Sequence, residues 1–574
     1  MLAPRRKAPT LIVICTTQES VAVTMTLDLI PYHKKSVLII EDLAEMRSSM
    51  KSMLANMGVQ SMETVNNGEE ALAKLALNKY NIVFSDYELG RGKDGQQILE
   101  EVRYSGLIPA STVYIMVTAA QTVEMVMGAL EFEPDGYIAK PVTLEILRTR
   151  LNRIIRTKDV YRDINRAIDK NDINGALEAC NRLAVEKPKF ALPAYRIKGK
   201  LLLGEKRYEE ARDIYDTVLG IKRVAWAILG MGKVEYFDGN YDAAQELLES
   251  LAKTKSKYVE AFDWLSKVLE AQGKFKAAQQ VLQQAVEESP KAVVRQMELA
   301  RLAELNGDME TMYKACRKAT GLSKNSVFRN AENYIRYAKS LQAKIKHGSM
   351  RDQKMAISEA FSHIETAKTE FHLNLSQMVK CSLVEAQTLH NSGKQLEGKM
   401  AYRAVRSMIK DETALSLDDQ LDVLVAKLQF EDETDSRAYG DDLLKKIGSN
   451  RRLQTKYYNI LDFHLSQLPE ARMELLKARG NELMAIKDYE EAWEVLHKAT
   501  RLPCADVDSQ LEALRAAVNL YKQGERNADL LNDTNGLFNI LQNMDSGDPR
   551  YPSLEKLRLQ WTEQTPDDSQ SATG

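Results

Sequence analysis

Two stretches decide the fold: SVLIIEDL at residues 36–43 and NIVFSDYELGRGKDG at residues 81–95. Each begins with a short apolar run, which is typical of a strand buried on both faces of a sheet. Each run ends abruptly in acidic residues, with Glu41 and Asp42 after the first and Asp86 after the second. We therefore predict a strand in both stretches, with the carboxylates at the carboxyl ends.

Three further apolar runs and the helical patterns between them extend this βα alternation. The predicted strands cover residues 37–40, 62–65, 81–84, 113–117 and 136–139. The predicted helices cover residues 46–54, 69–77, 95–104, 122–130 and 144–155. Such alternation requires parallel pairing through right-handed crossovers. The sequence thus predicts an α/β, doubly wound, five-stranded parallel sheet over residues 36–155, with helices on both faces.

Beyond residue 160 the strand pattern gives way to a repeat. One position holds Ala176, Ala211, Ala244, Ala278 and Met312, spaced by 35, 33, 34 and 34 residues. Twelve positions before most of these stand small residues: Gly199, Gly232, Ser266 and Ala300. Two antiparallel helices approach closely only where side chains are small, and no single pair can bury its own apolar face. The pattern resembles the tetratricopeptide repeat family, which implies a stacked all-α solenoid.

The same patterns divide the chain into six segments. Ahead of the sheet we expect an extension without a fold of its own, and after the sheet three helical segments of differing regularity. A good later copy of the repeat surrounds Gly480, Tyr489 and Ala492. The segments are residues 1–35 (extension), 36–155 (sheet domain), 156–322 (tetratricopeptide repeats), 323–470 (degenerate helical repeats), 471–562 (further repeats) and 563–574 (disordered tail).

Composition excludes several classes of protein. Lysine and arginine number 79 and aspartate and glutamate 81, so the net charge of -2 offers no overall positive field for nucleic acid or an anionic membrane. No apolar run approaches the roughly 18 residues of a membrane span. Five cysteines without a CxxC pair or metal-ligand spacing favour the reducing cytoplasm over a disulfide framework.

The polar residues at the strand ends form one constellation. Since parallel strands end at the same edge of a sheet, we expect Glu41, Asp42, Asp86, Thr118 and Lys140 to lie together. Three carboxylates at one place repel one another, and they either hold a proton or bind a cation. Magnesium prefers oxygen ligands and readily shares a phosphate, so the cluster predicts a phosphoryl-transfer site that uses Mg²⁺.

On these residues, the segment 36–155 resembles the receiver domain of bacterial two-component response regulators. The resemblance implies that Asp86 accepts a phosphoryl group from a phosphohistidine on a sensor histidine kinase or a histidine phosphotransfer protein. It also implies roles for the surrounding residues. Glu41, Asp42, Asp86 and the backbone carbonyl of Glu88 would hold the magnesium ion, Thr118 would hydrogen-bond the phosphoryl oxygens, Lys140 would neutralise the added charge, Tyr137 would be an aromatic switch, and Pro141 would follow a cis peptide bond.

The loop after Asp86 departs from the family pattern. It reads YELGRGKDG, so that Asp94 and Gly95 come one residue later than usual, and it has no Met-Pro pair. The resemblance therefore does not determine the shape of this loop.

The repeats predict a concave surface for a protein ligand with acidic or hydrophobic anchors. In the repeat register this surface would include Arg196, Lys200, Trp226, Lys233, Tyr236, Phe237, Asp263, Lys267, Met297 and Arg301. The alternative is that the aromatic members merely pack between neighbouring repeats. Cys180 and Cys316 occupy an apolar repeat position and are expected in the core.

Together these features predict a response regulator that converts phosphorylation of Asp86 into altered protein binding by a repeat scaffold. It would not be an enzyme beyond its own phosphoryl transfer and dephosphorylation. One alternative is a phosphorylation-independent adaptor whose receiver fold serves only for docking. A second is an enzyme hidden in residues 322–470, which would require side chains such as His363, Glu365, His372 and Glu385 to line one cavity.

Overall fold

The computed structural model describes residues 30–90, 92–119, 134–253, 258–409 and 414–565. The chain divides into two compact units, residues 1–401 and 402–574, and each is considered by itself below. The first unit contains the sheet and the regular repeats, and the second is helical throughout the part that the structure describes.

The sheet confirms the predicted doubly wound arrangement. Its five strands pair in the order β2-β1-β3-β4-β5, and every pairing is parallel. The third strand runs two residues past its predicted end, because the backbone of Asp86 still pairs with Val117 although its side chain is polar. The strands are β1 (Ser36–Ile40), β2 (Ser61–Val65), β3 (Ile82–Asp86), β4 (Val113–Thr118) and β5 (Gly136–Ala139).

Helices cover both faces of this sheet. They are α1 (Ala44–Asn56), α2 (Gly68–Leu77), α3 (Gly95–Tyr104) and α4 (Leu144–Val160). Leu38 and Ile40 point to the face covered by α2 and α3, and Val37 and Ile39 to the face covered by α1 and α4. This alternation of side chains along a strand buries both faces of β1. The predicted helix at 122–130 lies outside the described residues.

The amino-terminal boundary of the sheet domain differs from the prediction. Residues 1–29 lie outside the described part of the chain, but Tyr32–Lys34 form a short 3-10 turn. The Tyr32 side chain is buried in the same core as Met50 and Leu151, and its hydroxyl donates a hydrogen bond to Asn152 Oδ1 at 2.7 Å. Residues 30–35 therefore pack on the domain, because a tyrosine can bury its ring while its hydroxyl keeps a polar partner.

Beyond Ala139 every described element is helical. Short 3-10 turns occur at Pro188–Phe190 and Leu465–Gln467. The helices that follow α4 are α5 (Arg162–Asp169), α6 (Ile173–Glu186), α7 (Ala191–Gly204), α8 (Tyr208–Ile221), α9 (Ala225–Phe237), α10 (Tyr241–Ala252), α11 (Val259–Ala271), α12 (Phe275–Glu288), α13 (Val293–Leu305), α14 (Met309–Ser323), α15 (Ala331–Ser340), α16 (Gln342–His347), α17 (Met350–Glu370), α18 (Leu375–Asn391), α19 (Gln395–Met408), α20 (Leu417–Phe430), α21 (Glu433–Ile447), α22 (Arg451–His464), α23 (Pro469–Ala485), α24 (Tyr489–Thr500), α25 (Val507–Lys522), α26 (Ala528–Ile540) and α27 (Tyr551–Gln564).

Close approach of paired helices explains the small residues of the repeat. A Cβ added at Gly199 would stand 2.7 Å from the ring of Tyr215, and one added at Gly480 would stand 2.3 Å from Leu496. Both distances are too short for a carbon–carbon contact, so the neighbouring helix would have to move. The residues of the repeated position are fully buried: Ala176, Ala211, Ala244, Ala278 and Met312.

Candidate functional site

Three carboxylates meet at the carboxyl edge of the sheet. Glu41 and Asp42 directly follow β1, and Asp86 is the last residue of the neighbouring strand β3. One oxygen from each lies within 4.8 Å of the others. Glu41 and Asp86 are almost fully buried, at 3% and 5% exposed. In the part of the chain that the structure describes, this is the one cluster of at least three ligating side chains that could hold a metal ion.

Lys140 supplies the positive charge of the site. It follows β5, and its Nζ donates hydrogen bonds to Asp86 Oδ2 at 2.8 Å and to Glu41 Oε2 at 3.0 Å. Burial alone would lower the pKa of the ammonium, but the hydrogen bonds to the two carboxylates outweigh it and raise the pKa of Lys140. The lysine is therefore a fixed cation beside the predicted phosphoacceptor.

Glu41 is the member of the acidic group whose pKa is raised. Its burial raises its pKa and so does the negative charge of Asp86, while the hydrogen bond from Lys140 opposes the rise. Arg47 of α1 holds the backbone here, because its guanidinium donates to the carbonyl oxygens of Glu41 at 2.6 Å and Asp42 at 3.1 Å. Sequence reasoning missed Arg47. Its position one helical turn into α1 was the available signal.

The donor set suits magnesium. Carboxylate oxygens are hard ligands, and three of them around one point match a small divalent cation that keeps some of its waters. Glu41, Asp42 and Asp86 could hold such an ion directly or through water. Since Lys140 neutralises only one of the three negative charges, a divalent cation would complete the charge balance of the site.

The remaining predicted residues line the same edge. Thr118 ends β4, and its carbonyl oxygen accepts a hydrogen bond from the Lys140 amide at 2.9 Å. Tyr137 packs on the core beside α2 and α3, and its enclosed hydroxyl has no partner among the described residues. Burial raises the pKa of this hydroxyl. The peptide bond between Lys140 and Pro141 is cis.

After the loop that follows Asp86, α3 begins at Gly95. Asp94 caps α3: its carboxylate accepts from the Gln97 amide at 2.8 Å, and the Gln97 side chain accepts from the Asp94 amide at 3.0 Å. A Cβ at Gly95 would stand 1.9 Å from the carbonyl oxygen of Asp86, so only glycine fits. The Glu88 side chain is exposed, and it does not belong to the carboxylate cluster.

Known proteins resemble the part of the chain that carries this site. The family model of the response regulator receiver domain matches residues 37–152. These residues form a response regulator receiver domain. The chemotaxis protein CheY-3 of Vibrio cholerae is 28% identical over 118 residues, which are 21% of this chain and 89% of that protein. The chemotaxis protein CheY of Pseudomonas aeruginosa is 26% identical over 118 residues, 21% of this chain and 94% of that protein.

Among solved structures, the signal receiver domain of a modulated diguanylate cyclase from Desulfovibrio desulfuricans is 27% identical, with a TM-score of 0.20. The match covers 22% of this chain and 97% of that one. A tetratricopeptide repeat model matches residues 236–302. The response regulator receiver is thus followed by a tetratricopeptide region. Across the described ranges no helix is long and apolar enough to cross a lipid bilayer.

On the repeat surface most of the predicted ligand-binding side chains already have partners within the repeats. Lys233 Nζ pairs with Glu260 at 2.5 Å and lies 5.1 Å from the ring centroid of Trp264. Lys267 Nζ lies 4.3 Å from the same ring, and Arg301 pairs with Glu270 at 2.5 Å. Sequence reasoning missed Trp264, although it precedes the predicted Lys267 by three residues on one helix.

The aromatic members of that surface also contact one another across repeats. Phe237 stacks on Tyr208 at 4.8 Å between ring centroids, and Trp264 lies 5.6 Å from both Phe237 and Tyr236. Trp226 meets Tyr215 edge-on at 6.3 Å. These contacts favour the structural alternative for the aromatic residues, since such pairs hold neighbouring repeats together. Phe237 nevertheless remains 45% exposed.

The structure does not assemble the hidden enzyme site that the second alternative required. His363 packs on Tyr337 at 4.4 Å between ring centroids, and burial lowers its pKa. Glu385 pairs with Lys368 at 2.5 Å, while Glu365 and His372 are exposed. No ligating cluster of these four residues occurs in the described chain; two of them lie on α17, one in the connection that follows it and one on α18.

Proposed function

We propose that the chain accepts a phosphoryl group on Asp86 from a phosphohistidine donor and thereby changes the protein contacts of its repeat region. The observation that carries the proposal is the pair of hydrogen bonds from Lys140 to Asp86 and Glu41. Phosphoryl transfer to a carboxylate requires a nucleophilic oxygen, a cation beside it and ligands for a divalent ion. Asp86, Lys140 and the two further carboxylates would supply these groups. The donor would be a sensor histidine kinase or a histidine phosphotransfer protein.

The reaction follows from the side chains of the site. One Asp86 oxygen attacks the phosphorus of the phosphohistidine, the phosphorus–nitrogen bond breaks, and the imidazole leaves with a proton from solvent. The product is an acyl phosphate on Asp86. Glu41, Asp42, Asp86 and the carbonyl of Glu88 would hold Mg²⁺, which would supply electrostatic stabilisation of the phosphoryl oxygens. Lys140 would bind one of these oxygens, and Thr118 would donate a hydrogen bond to another.

Phosphorylation would replace one carboxylate charge with about two negative charges and three strong acceptor oxygens. Thr118 and Lys140 would turn toward these oxygens, and the enclosed hydroxyl of Tyr137 would lie next to the displaced strand ends. A two-state change at β4 and β5 is the proposed signal.

The reducing cytoplasm is the proposed compartment. Cys180, Cys316 and Cys381 are free and buried thiols, and burial raises the pKa of each. Buried thiols of this kind serve as small apolar core residues, which supports a protein that needs no disulfides.

The test is phosphorylation of the full chain with acetyl phosphate and Mg²⁺, followed by intact mass spectrometry. We expect one phosphoryl group on the wild type and on Glu70→Gln, which removes an exposed carboxylate outside the acidic cluster, and none on Asp86→Asn. An unlabelled wild type, under conditions that label another receiver, would leave the phosphorylation-independent adaptor as the function.

Phosphorylated and unphosphorylated chains are then compared for binding to candidate partner proteins. We expect the two forms to differ and the difference to vanish in Asp86→Asn. Identical binding by both forms would contradict the regulatory part of the proposal.

A further inference from the structure

The receiver contacts a segment of the repeat region that lies about 230 residues away along the chain. Asn325 Nδ2 donates to the Gly92 carbonyl oxygen at 2.7 Å, and Lys93 Nζ donates to the Asn325 carbonyl oxygen at 2.7 Å. Ser326 Oγ donates to Glu100 Oε2 at 3.0 Å, and both residues are buried. We refer to these pairs, together with the rings of Tyr104 and Phe328, as the receiver–repeat contact.

The contact combines polar and apolar parts. The ring of Tyr104 meets that of Phe328 edge-on, with 5.1 Å between centroids. Lys93 also pairs with Glu101 at 2.8 Å, which directs the lysine along α3 toward the repeat segment. On the repeat side all the residues come from the short connection between α14 and α15. Reciprocal hydrogen bonds, a buried serine–carboxylate pair and an aromatic pair together define one orientation.

On the receiver side, the contact is made by the loop that carries the extra residue. Gly92 has a φ of +92°, a conformation that favours glycine, and its carbonyl oxygen accepts from Asn325. The loop is also held against α2, where Glu69 Oε1 accepts from the Lys93 amide at 3.3 Å. The described residues of the segment 86–95 are therefore held at three places: the acidic cluster, α2 and the repeat connection.

This loop joins the phosphoacceptor directly to the contact. Its end at Gly95 packs against the Asp86 carbonyl oxygen, and the Gly95 amide donates to the Tyr87 carbonyl oxygen at 3.0 Å. Five residues separate Asp86 from Gly92, and Glu88, whose carbonyl is the proposed metal ligand, lies between them. A change in the position of the Glu88 carbonyl must therefore be taken up within a few residues of Gly92 and Lys93.

We propose that residues 325–328 are an intramolecular ligand of the receiver and that phosphorylation of Asp86 releases them. This inference rests on the proposed function. The contact is formed while Asp86 is a free carboxylate bound by Lys140, so its hydrogen bonds fit that arrangement of the loop. Rearrangement around a phosphoryl group moves Gly92 and Lys93 off their partners, and the connection 325–328 and the outer face of α3 become available to another protein.

The experiment is hydrogen exchange followed by mass spectrometry on the full chain, with and without Mg²⁺ and beryllofluoride, a noncovalent mimic of the phosphoryl group. We expect exchange in peptides that cover 324–330 and 92–104 to become faster by about fivefold or more, the lower end of typical coupling between sites. Unchanged or slower exchange at 324–330 overturns the inference.

Reciprocity provides the second measurement. The double variant Asn325→Ala, Phe328→Ala weakens the contact without touching the acidic cluster, so it should bind beryllofluoride with Mg²⁺ more tightly by the same factor. Lys79→Ala, which removes an exposed lysine of the receiver, is the matched control and should leave the affinity unchanged. Equal affinities of the double variant and the wild type would contradict the coupling.

The two proposals fail in distinguishable ways. If acetyl phosphate labels Asp86 while exchange at 324–330 does not rise, the proposed function stands and the coupling is wrong. If Asp86 takes up no phosphoryl group, the proposed function is wrong and the coupling falls with it.

Discussion

The receiver and the repeat region differ in how their charged side chains are paired. At the edge of the sheet three carboxylates lie within 4.8 Å of one another, and one lysine contacts two of them. On the repeat surface Lys233 pairs with Glu260, Arg295 with Asp263, and Arg301 with two glutamates. An excess of one sign at a buried place marks a site that an ion or a substrate completes, whereas paired charges mark surfaces that hold structure together.

The largest expected effect compares two lysines. Lys140→Met keeps the alkyl stem but leaves the buried carboxylates of Glu41 and Asp86 without their cation, so we expect the receiver to lose about 3–5 kcal/mol of stability in the presence of EDTA. Lys233→Met breaks a pair whose glutamate is half exposed, and it should cost the repeats about 1 kcal/mol or less. Urea unfolding with pulsed hydrogen exchange reports each region separately. Equal losses would abolish the distinction between the two regions.

The next effect concerns magnesium. At a free concentration one hundred times its dissociation constant, Mg²⁺ should stabilise the receiver by about 2.7 kcal/mol, because it binds the folded acidic cluster only. The repeats should not respond. Asp42→Asn should remove most of the stabilisation, and Glu70→Gln, which removes an exposed carboxylate outside the cluster, should retain it. Stabilisation of the wild type and Asp42→Asn by the same amount would show that the ion binds elsewhere.

The third prediction compares a glycine in a tightly packed place with a glycine beside open space. The Cβ of Gly95→Ala would collide with the backbone of Asp86, and we expect a loss of about 1–3 kcal/mol together with slower phosphorylation. Gly220, the last residue but one of α8, has no atom within 4 Å of an added Cβ, so Gly220→Ala should stabilise the repeats by about 0.5 kcal/mol or less through helix propensity. Thermal unfolding of both variants tests the pair, and destabilisation by Gly220→Ala would be the contrary result.

The smallest effect is a difference in pH dependence. Burial raises the pKa of Glu41 above its ordinary 4.5, so at pH values between the unfolded and the folded pKa the folded receiver retains a proton that the unfolded chain has lost. The contribution of Glu41 to stability is therefore greatest below pH 4.5 and falls as the pH rises through the folded pKa. The hydrogen bond from Arg212 lowers the pKa of Glu235, and its contribution is present above 4.5 and lost as the pH falls through the folded value.

We expect changes of about 1 kcal/mol or less at each glutamate. Denaturation of the full chain from about pH 3 to neutrality, compared with Glu41→Gln and Glu235→Gln, measures each contribution. Slopes of the same sign for the two glutamates would contradict the assigned causes.

The sequence predicted the sheet and the meeting of its strand-end residues because both follow from chain order. Once five short strands alternate with helices, parallel pairing brings Asp42, Asp86 and Lys140 to one edge whatever the loops do. The 34-residue period similarly predicted which alanines are buried. The end of β3 was placed two residues early, because polarity was taken as the end of pairing, and the backbone hydrogen bonds of a strand do not depend on side-chain polarity.

Contacts that join distant parts of the chain could not be predicted in this way. Nothing in the local pattern of residues 325–328 indicates that they meet Gly92 and Lys93, since the meeting depends on the summed geometry of all the helix pairs between them. The aromatic contacts of Trp264 depend on rotamers that periodicity does not fix. The loop after Asp86 was recognised as unusual from its sequence. Its contact with residues 325–328 is visible only in the structure.

The junction between sheet and repeats has a practical consequence for dividing this protein. Helix α4 continues past residue 155, and there Lys158 Nζ binds the Asp135 carboxylate at 2.6 Å. Asp169 of α5 accepts from the Ala110 amide and the Ser111 hydroxyl, both at 2.6 Å. A receiver fragment cut at Ile155 would lose these partners, whereas one that ends after Asp169 keeps them. The first helix beyond the sheet domain, α5, therefore forms hydrogen bonds with the receiver although it lies at the start of the helical region.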